Sequence, residues 1–453
     1  MNTPICDFVE NYIKENKARL HMPGHKGKDF LGFEKYDITE ITGADSLYHA
    51  EGIISQSEEN ATSIFGSGKT FYSTEGSSHC IRAICNLAKS FLAKEIADCS
   101  VGNYILAGRN AHTAFISACV LNDIDIKWLY PKDNESYLSC VITAQDLEKA
   151  LESVDKKPIC VYVTSPDYLG NMCDISALSK VCAKYGTFLA VDNAHGAYLK
   201  FLNEDYHPIT KGATLCCDSA HKTLPVLTGG AYLHISKDAP QFFKDNAKGA
   251  LALFGSTSPS YLTLCSLDRA NRYLCDGYRD RLNTFIEHLH NKLSNFAFCT
   301  LHSALSEPMK ITLETKKIGY MGGDFSKILE EKGIACEFYD EDFVVLMPSP
   351  ENGEDIDCLV DILSSIEVKE PLVSDKIEVI PPKKVLTPRQ AAFAPRELVP
   401  IECACGRILA LSSVSCPPAV SLIVGGEEFN ESTLELCKKY GFTEFFVVKN
   451  PVR

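Results

Sequence analysis

One lysine, Lys222, stands in the sequence CDSAHKTLP at 217–225, directly after an apolar run that begins at Ala213. The stretch LTGGA at 227–231 follows almost at once. A lysine on a tight turn after a buried strand is partly desolvated, which lowers its proton affinity and makes it a nucleophile that forms Schiff bases with aldehydes. The alternative is a lysine that points out of a loop, and so short a motif leaves both open.

A carboxylate, Asp192, follows another apolar run in the sequence FLAVDNAHGAY at 188–198. A buried carboxylate is costly unless it has a positive partner, and a protonated pyridine nitrogen is one such partner. The alternative is an aspartate that caps the next helix.

Two hydroxyl residues, Ser77 and Ser78, stand where a Gly-Ser turn leads into a predicted helix at 80–93. The unpaired N–H groups and the dipole of a helix N-terminus favour phosphate, although ordinary N-capping by serine is equally consistent. The nearby GSGKT at 66–70 is not a P-loop, because Ser63 stands where that motif needs glycine.

These three features are the parts that a site for pyridoxal 5'-phosphate (PLP) requires: a Schiff-base lysine, a carboxylate for the pyridine nitrogen and a phosphate-binding helix start. His112, just past another predicted strand, is a candidate to stack on the cofactor ring. The order of these residues along one region predicts dependence on PLP.

The elements that must position these residues are four buried strands, predicted at 160–164, 187–191, 213–217 and 230–235. An amphipathic helix at 175–185 separates the first two. Alternating strands and helices predict an α/β fold with a mostly parallel, doubly wound sheet, in which ligands gather at the strand carboxyl ends. The polar residues expected at that edge are Ser165, Asp192, His195, Ser219 and Lys222.

Bulk composition restricts the class of protein. The net charge of −14 and the lack of a basic run disfavour partners such as nucleic acid or an anionic membrane surface. Neither a signal peptide nor a membrane-spanning run is predicted, and the 20 scattered cysteines, without a CxxC pair, favour buried thiols over zinc ligands or disulfides. We therefore expect a cytoplasmic protein in a reducing compartment.

Taken together, the motifs make the chain similar to the fold-type I PLP enzymes, and within them it resembles the bacterial ornithine/lysine/arginine decarboxylases. The sequence HMPGHKG at 21–27 resembles that family's HxPGHKG loop, and GRNAHT at 108–113 resembles its RNxHKS element. SPDYLG at 165–170 and VDNAHGA at 191–197 are similar to its SPxYxG turn and its DEAHG stretch, and SAHKTLP at 219–225 to its lysine motif. LTPRQAAF at 386–393 resembles the start of its C-terminal domain.

The resemblance implies that Lys222 holds PLP, that Asp192 binds the pyridine nitrogen and that His112 stacks on the ring. The residues implied to lie around the phosphate and the lysine are Ser77, Ser78, Ser219 and His221. His195 either positions the cofactor or substrate or makes a structural hydrogen bond.

The resemblance also implies an assembly. STSPSY at 256–261 resembles the segment that reaches the phosphate of the neighbouring subunit's cofactor, so Ser256 and Thr257 are expected to serve the partner's site in a homodimer. The implied organisation is an N-terminal arm and loop at 1–50, a PLP-binding domain at 51–295 with a long bridging helix, a small α/β domain at 296–380 and a C-terminal domain at 381–453.

The implied reaction is α-decarboxylation of a basic amino acid (lysine, ornithine or arginine), with a proton returned to Cα by Lys222 or His221. Acidic candidates for the cationic end of the substrate are Asp45, Glu75 and Glu427. Another fold-type I reaction, by an aldolase, lyase or aminotransferase, and a non-catalytic PLP-binding homologue are the alternatives.

Four departures from the family pattern leave the substrate open. Asn193 stands where the family usually has Glu, and Gly229 where it has Gln. The stretches SCPPAVS at 415–421 and GGE at 425–427 replace its YPPGxP and PGE motifs. The N-terminal wing domain of the large family members has no counterpart in this sequence.

Overall fold

The computed structural model describes residues 1–94, 100–130, 138–300, 305–373, 380–411, 413–416 and 420–449. Within these residues, no helix combines the length and the apolar character needed to cross a membrane.

The chain alternates helices and strands over most of its length. The helices are α1 (Pro4–Lys14), α2 (Ile53–Phe65), α3 (Gly76–Lys94), α4 (Thr113–Asn122), α5 (Ala144–Glu152), α6 (Ile175–Lys184), α7 (Ala220–Thr223), α8 (Gln241–Ala252), α9 (Tyr261–Cys275), α10 (Tyr278–Leu293), α11 (Gly322–Glu331), α12 (Gly353–Ser365), α13 (Pro388–Phe393) and α14 (Glu431–Lys439). The strands are β1 (Lys69–Ser73), β2 (Tyr104–Gly108), β3 (Asp125–Leu129), β4 (Val161–Thr164), β5 (Leu189–Asp192), β6 (Leu215–Asp218), β7 (Ala231–Ile235), β8 (Cys299–Thr300), β9 (Ile311–Glu314), β10 (Phe338–Tyr339), β11 (Phe343–Leu346), β12 (Arg396–Pro400), β13 (Ser413–Cys416), β14 (Val420–Val424) and β15 (Glu444–Val448).

The largest sheet has seven strands in the order β1-β7-β6-β5-β4-β2-β3. The pairs β2–β3 and β5–β6 are parallel, whereas β7 runs antiparallel to both β1 and β6. Every residue of β2, β5, β6 and β7 is buried, as expected for strands covered on both faces by helices. The predicted α/β fold with a mostly parallel sheet is confirmed.

The chain divides into two compact units, and the first comprises Met1–Val101, Ile159–Tyr162 and Ile175–Asp280. In its core α3 packs against α8 through aromatic side chains, with the rings of Phe91 and Phe243 4.8 Å apart. The Asp268 carboxylate accepts hydrogen bonds from the backbone N–H groups of Ile5 and Cys6 and so caps the first turn of α1.

The second unit comprises Gly102–Pro158, Val163–Asp174 and Arg281–Arg453. It contains a four-stranded sheet in the order β10-β11-β9-β8 and two separate strand pairs, β12–β15 and β13–β14. A hydrophobic cluster that includes Leu409, Ile423 and Val447 fills the interior of its C-terminal part. The four-part division expected from the resemblance stays a prediction.

The four predicted strands are present, displaced by one or two residues. The bridging helix predicted at 260–294 is instead two helices, α9 and α10. Gly277, with φ of +67°, lies between them and adopts the left-handed conformation that ends a helix. Cys85, Cys119, Cys160 and Cys182 are buried free thiols as predicted, whereas Cys275, Cys358, Cys403 and Cys405 are exposed.

Candidate active site

Lys222 lies in α7, the single helical turn that follows β6 in the first unit. Its amine donates a hydrogen bond to Nε2 of His195 over 3.0 Å. The His195 ring is buried, with 4% of its surface exposed, while Lys222 is half-buried. The lysine predicted to be a nucleophile therefore lies next to a histidine that accepts a hydrogen bond from it.

The neighbouring His221 donates from Nδ1 to the backbone oxygen of Gly230 over 3.0 Å. Burial, followed by the nearby Lys222 charge, lowers the pKa of His221, while the bond to Gly230 opposes that change. The ring is therefore neutral at neutral pH, with its proton on Nδ1 and with Nε2 able to accept a proton.

Asp192 is the last residue of β5 and only 2% of its surface is exposed. One carboxylate oxygen accepts from the Tyr162 hydroxyl at 3.1 Å, and the other accepts from the backbone N–H of Ala194 at 3.2 Å. Burial, followed by the Asp192 charge, raises the pKa of Tyr162 well above its ordinary value, so its hydroxyl remains a donor. Among the described residues, no lysine, arginine or histidine forms an ion pair with Asp192.

Ser77 lies in the first turn of α3, and the Ser219 hydroxyl donates to it over 2.7 Å. Both serines are buried, and Ser78 is half-buried. Gly76 begins the helix and donates its N–H to the backbone oxygen of Gly229 at 2.7 Å. The structure therefore brings the turn before Lys222 to the N-terminus of a 19-residue helix, where the helix dipole favours an anion.

Ser256 and Thr257 lie on the exposed segment between α8 and α9. The backbone N–H of Ser256 donates to the Glu75 carboxylate at 2.6 Å. No hydrogen bond in the described part of the chain joins either residue to Lys222, Asp192 or Ser77.

His112 belongs to the second unit, where it is the N-cap of α4. Its Nδ1 accepts from the backbone N–H of Ala114 at 3.0 Å, and its backbone forms an isolated bridge with Val420. The ring is half-buried and its orientation is fixed by this cap.

All three acidic candidates for the substrate's cationic end accept hydrogen bonds within the chain, Glu75 from the Ser256 N–H. Asp45 accepts from the backbone N–H groups of Gly52 and Ile54 at 2.8 and 3.0 Å. Glu427, in the second unit, is buried and bonds Arg109 at 3.3 Å and Trp128 at 3.0 Å. Glu75 is the exposed member of the three.

Residues 3–295 match the family model described as Orn/Lys/Arg decarboxylase, major domain. The chain belongs to the Orn/Lys/Arg decarboxylase family. The family resemblance seen in the sequence motifs is thereby confirmed, and the chain is placed among decarboxylases, a class of lyases.

Individual relatives extend this finding. The chain is 28% identical over 467 residues to an arginine decarboxylase of Bacillus subtilis (strain 168), covering 95% of this chain and 92% of the relative. It is also 28% identical over 469 residues to the uncharacterized protein YaaO of the same organism, covering 96% and 93%. Among solved structures, the Francisella novicida lysine decarboxylase LdcF superposes with a TM-score of 0.79 at 17% identity, over 99% of this chain and 81% of that one. This last likeness shows the fold.

Two departures from the family pattern have local reasons. Gly229 has φ of +94°, and a Cβ there would lie 2.6 Å from the backbone oxygen of Thr74. The turn at 227–230 therefore requires glycine at 229 to approach the chain before α3 this closely. Asn193 donates to Asp218 at 2.7 Å, within a buried group of polar side chains. Residues 417–419 of the altered stretch at 415–421 lie outside the described residues.

Sequence reasoning missed Tyr162 and Asp218. A tyrosine inside an apolar strand gives no signal of its own, so the donor to Asp192 could not have been found. Asp218 carried the signal that identified Asp192, since both are carboxylates at the end of an apolar strand.

Proposed function

We propose that the protein is a PLP-dependent decarboxylase that removes the α-carboxylate of a basic amino acid, and that it releases the corresponding amine and CO2. The observation that carries the proposal is the Lys222 amine, 3.0 Å from His195 Nε2, in the same unit as the buried carboxylate of Asp192. Family membership supports decarboxylation, and lysine, ornithine and arginine are the candidate substrates.

The residues present fit PLP. A buried carboxylate without an ion-pair partner in the described chain, Asp192, is suited to a pyridine nitrogen that carries a proton. The Ser77–Ser219 hydroxyl pair at the α3 N-terminus is suited to a phosphate. When bound, PLP would supply an electron sink for the pair of electrons left at Cα by departing CO2.

The chain's own residues then have distinct roles. Lys222 would be the covalent attachment point for PLP, and His195 orients its amine by accepting a hydrogen bond from it. Asp192 would keep the pyridine nitrogen of PLP protonated, and Tyr162 holds the Asp192 carboxylate in place. Lys222, or His221 after its free Nε2 has taken up a proton from solvent, returns a proton to Cα.

We infer that two chains form a homodimer with shared sites. Ser256 and Thr257 are exposed in the single chain, which is consistent with a role in the partner's phosphate site. Large apolar side chains are exposed on the N-terminal loop as well, including Leu20 at 94%, Phe30 at 76% and Leu31 at 75%. Apolar exposure of this kind is typical of surfaces that a partner covers.

The proposal is tested by incubating the PLP-loaded protein separately with arginine, lysine and ornithine, and by measuring CO2 together with agmatine, cadaverine or putrescine. Arginine is tested first, because the Bacillus subtilis arginine decarboxylase aligns with 95% of this chain. We expect one of the three to yield CO2 and amine in equal amounts.

Lys222→Ala should abolish both the product and the visible absorbance of covalently bound cofactor. The matched control is Lys237→Ala, which removes an exposed lysine of the same unit and should change neither. Cofactor absorbance without product from any of the three would contradict decarboxylation of a basic amino acid and leave another PLP reaction or a non-catalytic homologue. Covalent cofactor retained in Lys222→Ala would contradict the role of Lys222.

A further inference from the structure

A second aspartate of the first unit, Asp218, lies at the end of β6 with its side chain fully buried. Its carboxylate accepts hydrogen bonds from Asn193 Nδ2 at 2.7 Å, from His207 Nε2 at 2.9 Å and from His234 Nε2 at 3.0 Å. All three donors are themselves fully buried. They come from separate segments, so the carboxylate joins parts of the chain that are distant in sequence.

The carboxylate of Asp218 is ionised. Burial by itself would raise its pKa, but His207 and His234 outweigh burial and hold the pKa well below its ordinary value. Burial lowers the pKa of His234, so that ring is neutral at neutral pH and donates its Nε2–H as a neutral group. A buried carboxylate that accepts several hydrogen bonds is stabilised in its ionised form.

The same side chains could be read as metal ligands, because atoms of His207, Cys216 and Asp218 lie within 4.8 Å of one another. The tautomer of His207 argues against this reading. Its Nδ1 accepts the backbone N–H of Ile209 at 3.3 Å, so Nε2 carries the hydrogen that the ring donates to Asp218. A protonated Nε2 donates a hydrogen bond and does not coordinate a metal.

This network adjoins the candidate active site through the chain itself. Asn193 follows Asp192, and its backbone N–H donates to the oxygen of Cys217 at 2.9 Å. Asp218 precedes Ser219, whose hydroxyl bonds Ser77. The bond between the Asn193 and Asp218 side chains therefore joins the carboxyl ends of β5 and β6. The candidate site residues Asp192 and Ser219 lie directly beside this bond in the chain.

We propose that Asp218 is a positioning residue, which through Asn193 fixes the Asp192 carboxylate relative to Ser219 and Lys222. This inference rests on the proposed PLP function. It also gives a reason for Asn193: a glutamate at that position would direct a second carboxylate at Asp218, and two buried anions in contact destabilise each other. The amide at 193 and the carboxylate at 218 are thus a matched donor and acceptor.

The test is a reciprocal exchange in the full-length protein. Asp218→Asn turns an amide towards the Asn193 amide and should weaken PLP binding by about 10-fold or more, the usual effect of removing a residue that orients a ligand-binding group. Asn193→Asp sets two carboxylates face to face and should weaken it similarly. In the double variant the new amide at 218 donates to the new carboxylate at 193, while its oxygen still accepts from both histidines, so most of the affinity should return.

The readouts are the dissociation constant of PLP, obtained by titrating the cofactor-free protein, and the visible spectrum of the bound cofactor, both under conditions where circular dichroism shows every variant folded. Asp268→Asn is the matched control, since Asp268 is also a fully buried aspartate of this unit but bonds the start of α1. It should lower resistance to urea and leave PLP affinity and the spectrum unchanged.

Unchanged PLP affinity and spectrum in Asp218→Asn, with wild type binding PLP normally, would overturn the positioning role and leave the proposed function intact. Failure of wild type itself to bind PLP through Lys222 would overturn the proposed function instead. Metal analysis of the purified protein gives the remaining outcome. About one zinc ion per chain, lost in Asp218→Asn, would replace the hydrogen-bond network by a metal site.

Discussion

Lys222 and His195 form a donor–acceptor pair in which the histidine is the more deeply buried partner. A lysine amine attacks an aldehyde only when it has lost a proton, and a nearby acceptor both orients the amine and receives that proton. Asp192 ends β5 and His195 follows it by three residues, so one short stretch serves both the pyridine nitrogen and the attachment lysine of the proposed cofactor.

His195→Phe removes the acceptor while keeping a ring of similar size. We expect covalent attachment of PLP to Lys222 to slow by about 100-fold, the scale of a lost acid–base group. Rapid mixing of cofactor-free protein with PLP, followed by visible absorbance, measures the rate. His49→Phe, at an exposed histidine of the same unit, is the control, and an attachment rate in His195→Phe equal to that of wild type would show that His195 is only structural.

At this scale the sequence identified candidate side chains that follow apolar strands, and their roles stay predictions. Lys222, Asp192 and Ser77 lie in one unit, and Ser219 bonds Ser77 directly. It could not identify Tyr162, because a donor inside a strand is recognised only when folding brings it 3.1 Å from Asp192. The sequence also contained no sign that Asp45 accepts hydrogen bonds from backbone N–H groups. Nor did it show that Glu427 bonds Arg109.

The start of α3 depends on a contact between two loops. The turn at 227–230 approaches the chain before the helix so closely that Gly76 N–H bonds the Gly229 oxygen at 2.7 Å. The helix N-terminus proposed for phosphate is thus set by a loop that follows Lys222. Gly229 therefore links the loop that follows Lys222 to the helix N-terminus proposed for the phosphate.

Gly229→Ala should lower the free energy of unfolding by about 1–3 kcal/mol, because a side chain at φ of +94° is strained and its Cβ would meet the Thr74 oxygen at 2.6 Å. Urea unfolding measures the change. Gly249→Ala is the matched control: Gly249 lies inside α8 with no atom within 4 Å of an added Cβ, so alanine should stabilise by up to ~1 kcal/mol. Equal stability of Gly229→Ala and wild type would show that this loop adjusts to an added Cβ without strain.

Element types followed from hydrophobic patterning, whereas two features of their arrangement did not. The apolar runs that became β4 to β7 read alike, yet β7 is antiparallel to its neighbours, since burial on both faces gives no information on direction. The break between α9 and α10 occurs at Gly277, which has a left-handed backbone conformation. A periodic apolar pattern does not reveal backbone conformation, so the break could not be predicted from it.

For the molecule as a whole, the proposed assembly makes each site depend on two chains. Ser256 and Thr257 lie on an exposed segment of the unit that carries Lys222. If they complete the partner's phosphate site, defects in the two regions must complement one another when chains are mixed.

Lys222→Ala and the double variant Ser256→Ala with Thr257→Val should each be nearly inactive alone. Mixed, denatured together and refolded, they should recover about a quarter of wild-type activity, because half of the dimers are then mixed and each mixed dimer has one intact site. Activity is measured as CO2 release, and each variant refolded alone is the control. Absence of recovery, with dimers present by light scattering, would mean that each chain builds its site alone.

In the second unit, the guanidinium of Arg109 donates to the backbone oxygens of Ser421 and Leu422 at 2.9 and 3.1 Å. Main-chain oxygens are the same for every amino acid, so this attachment places no demand on which side chains stand at 421 and 422. A substitution at 421 or 422 therefore leaves this anchor in place. Both side chains are buried, so the constraint on these positions comes from packing in the core and not from the bonds to Arg109.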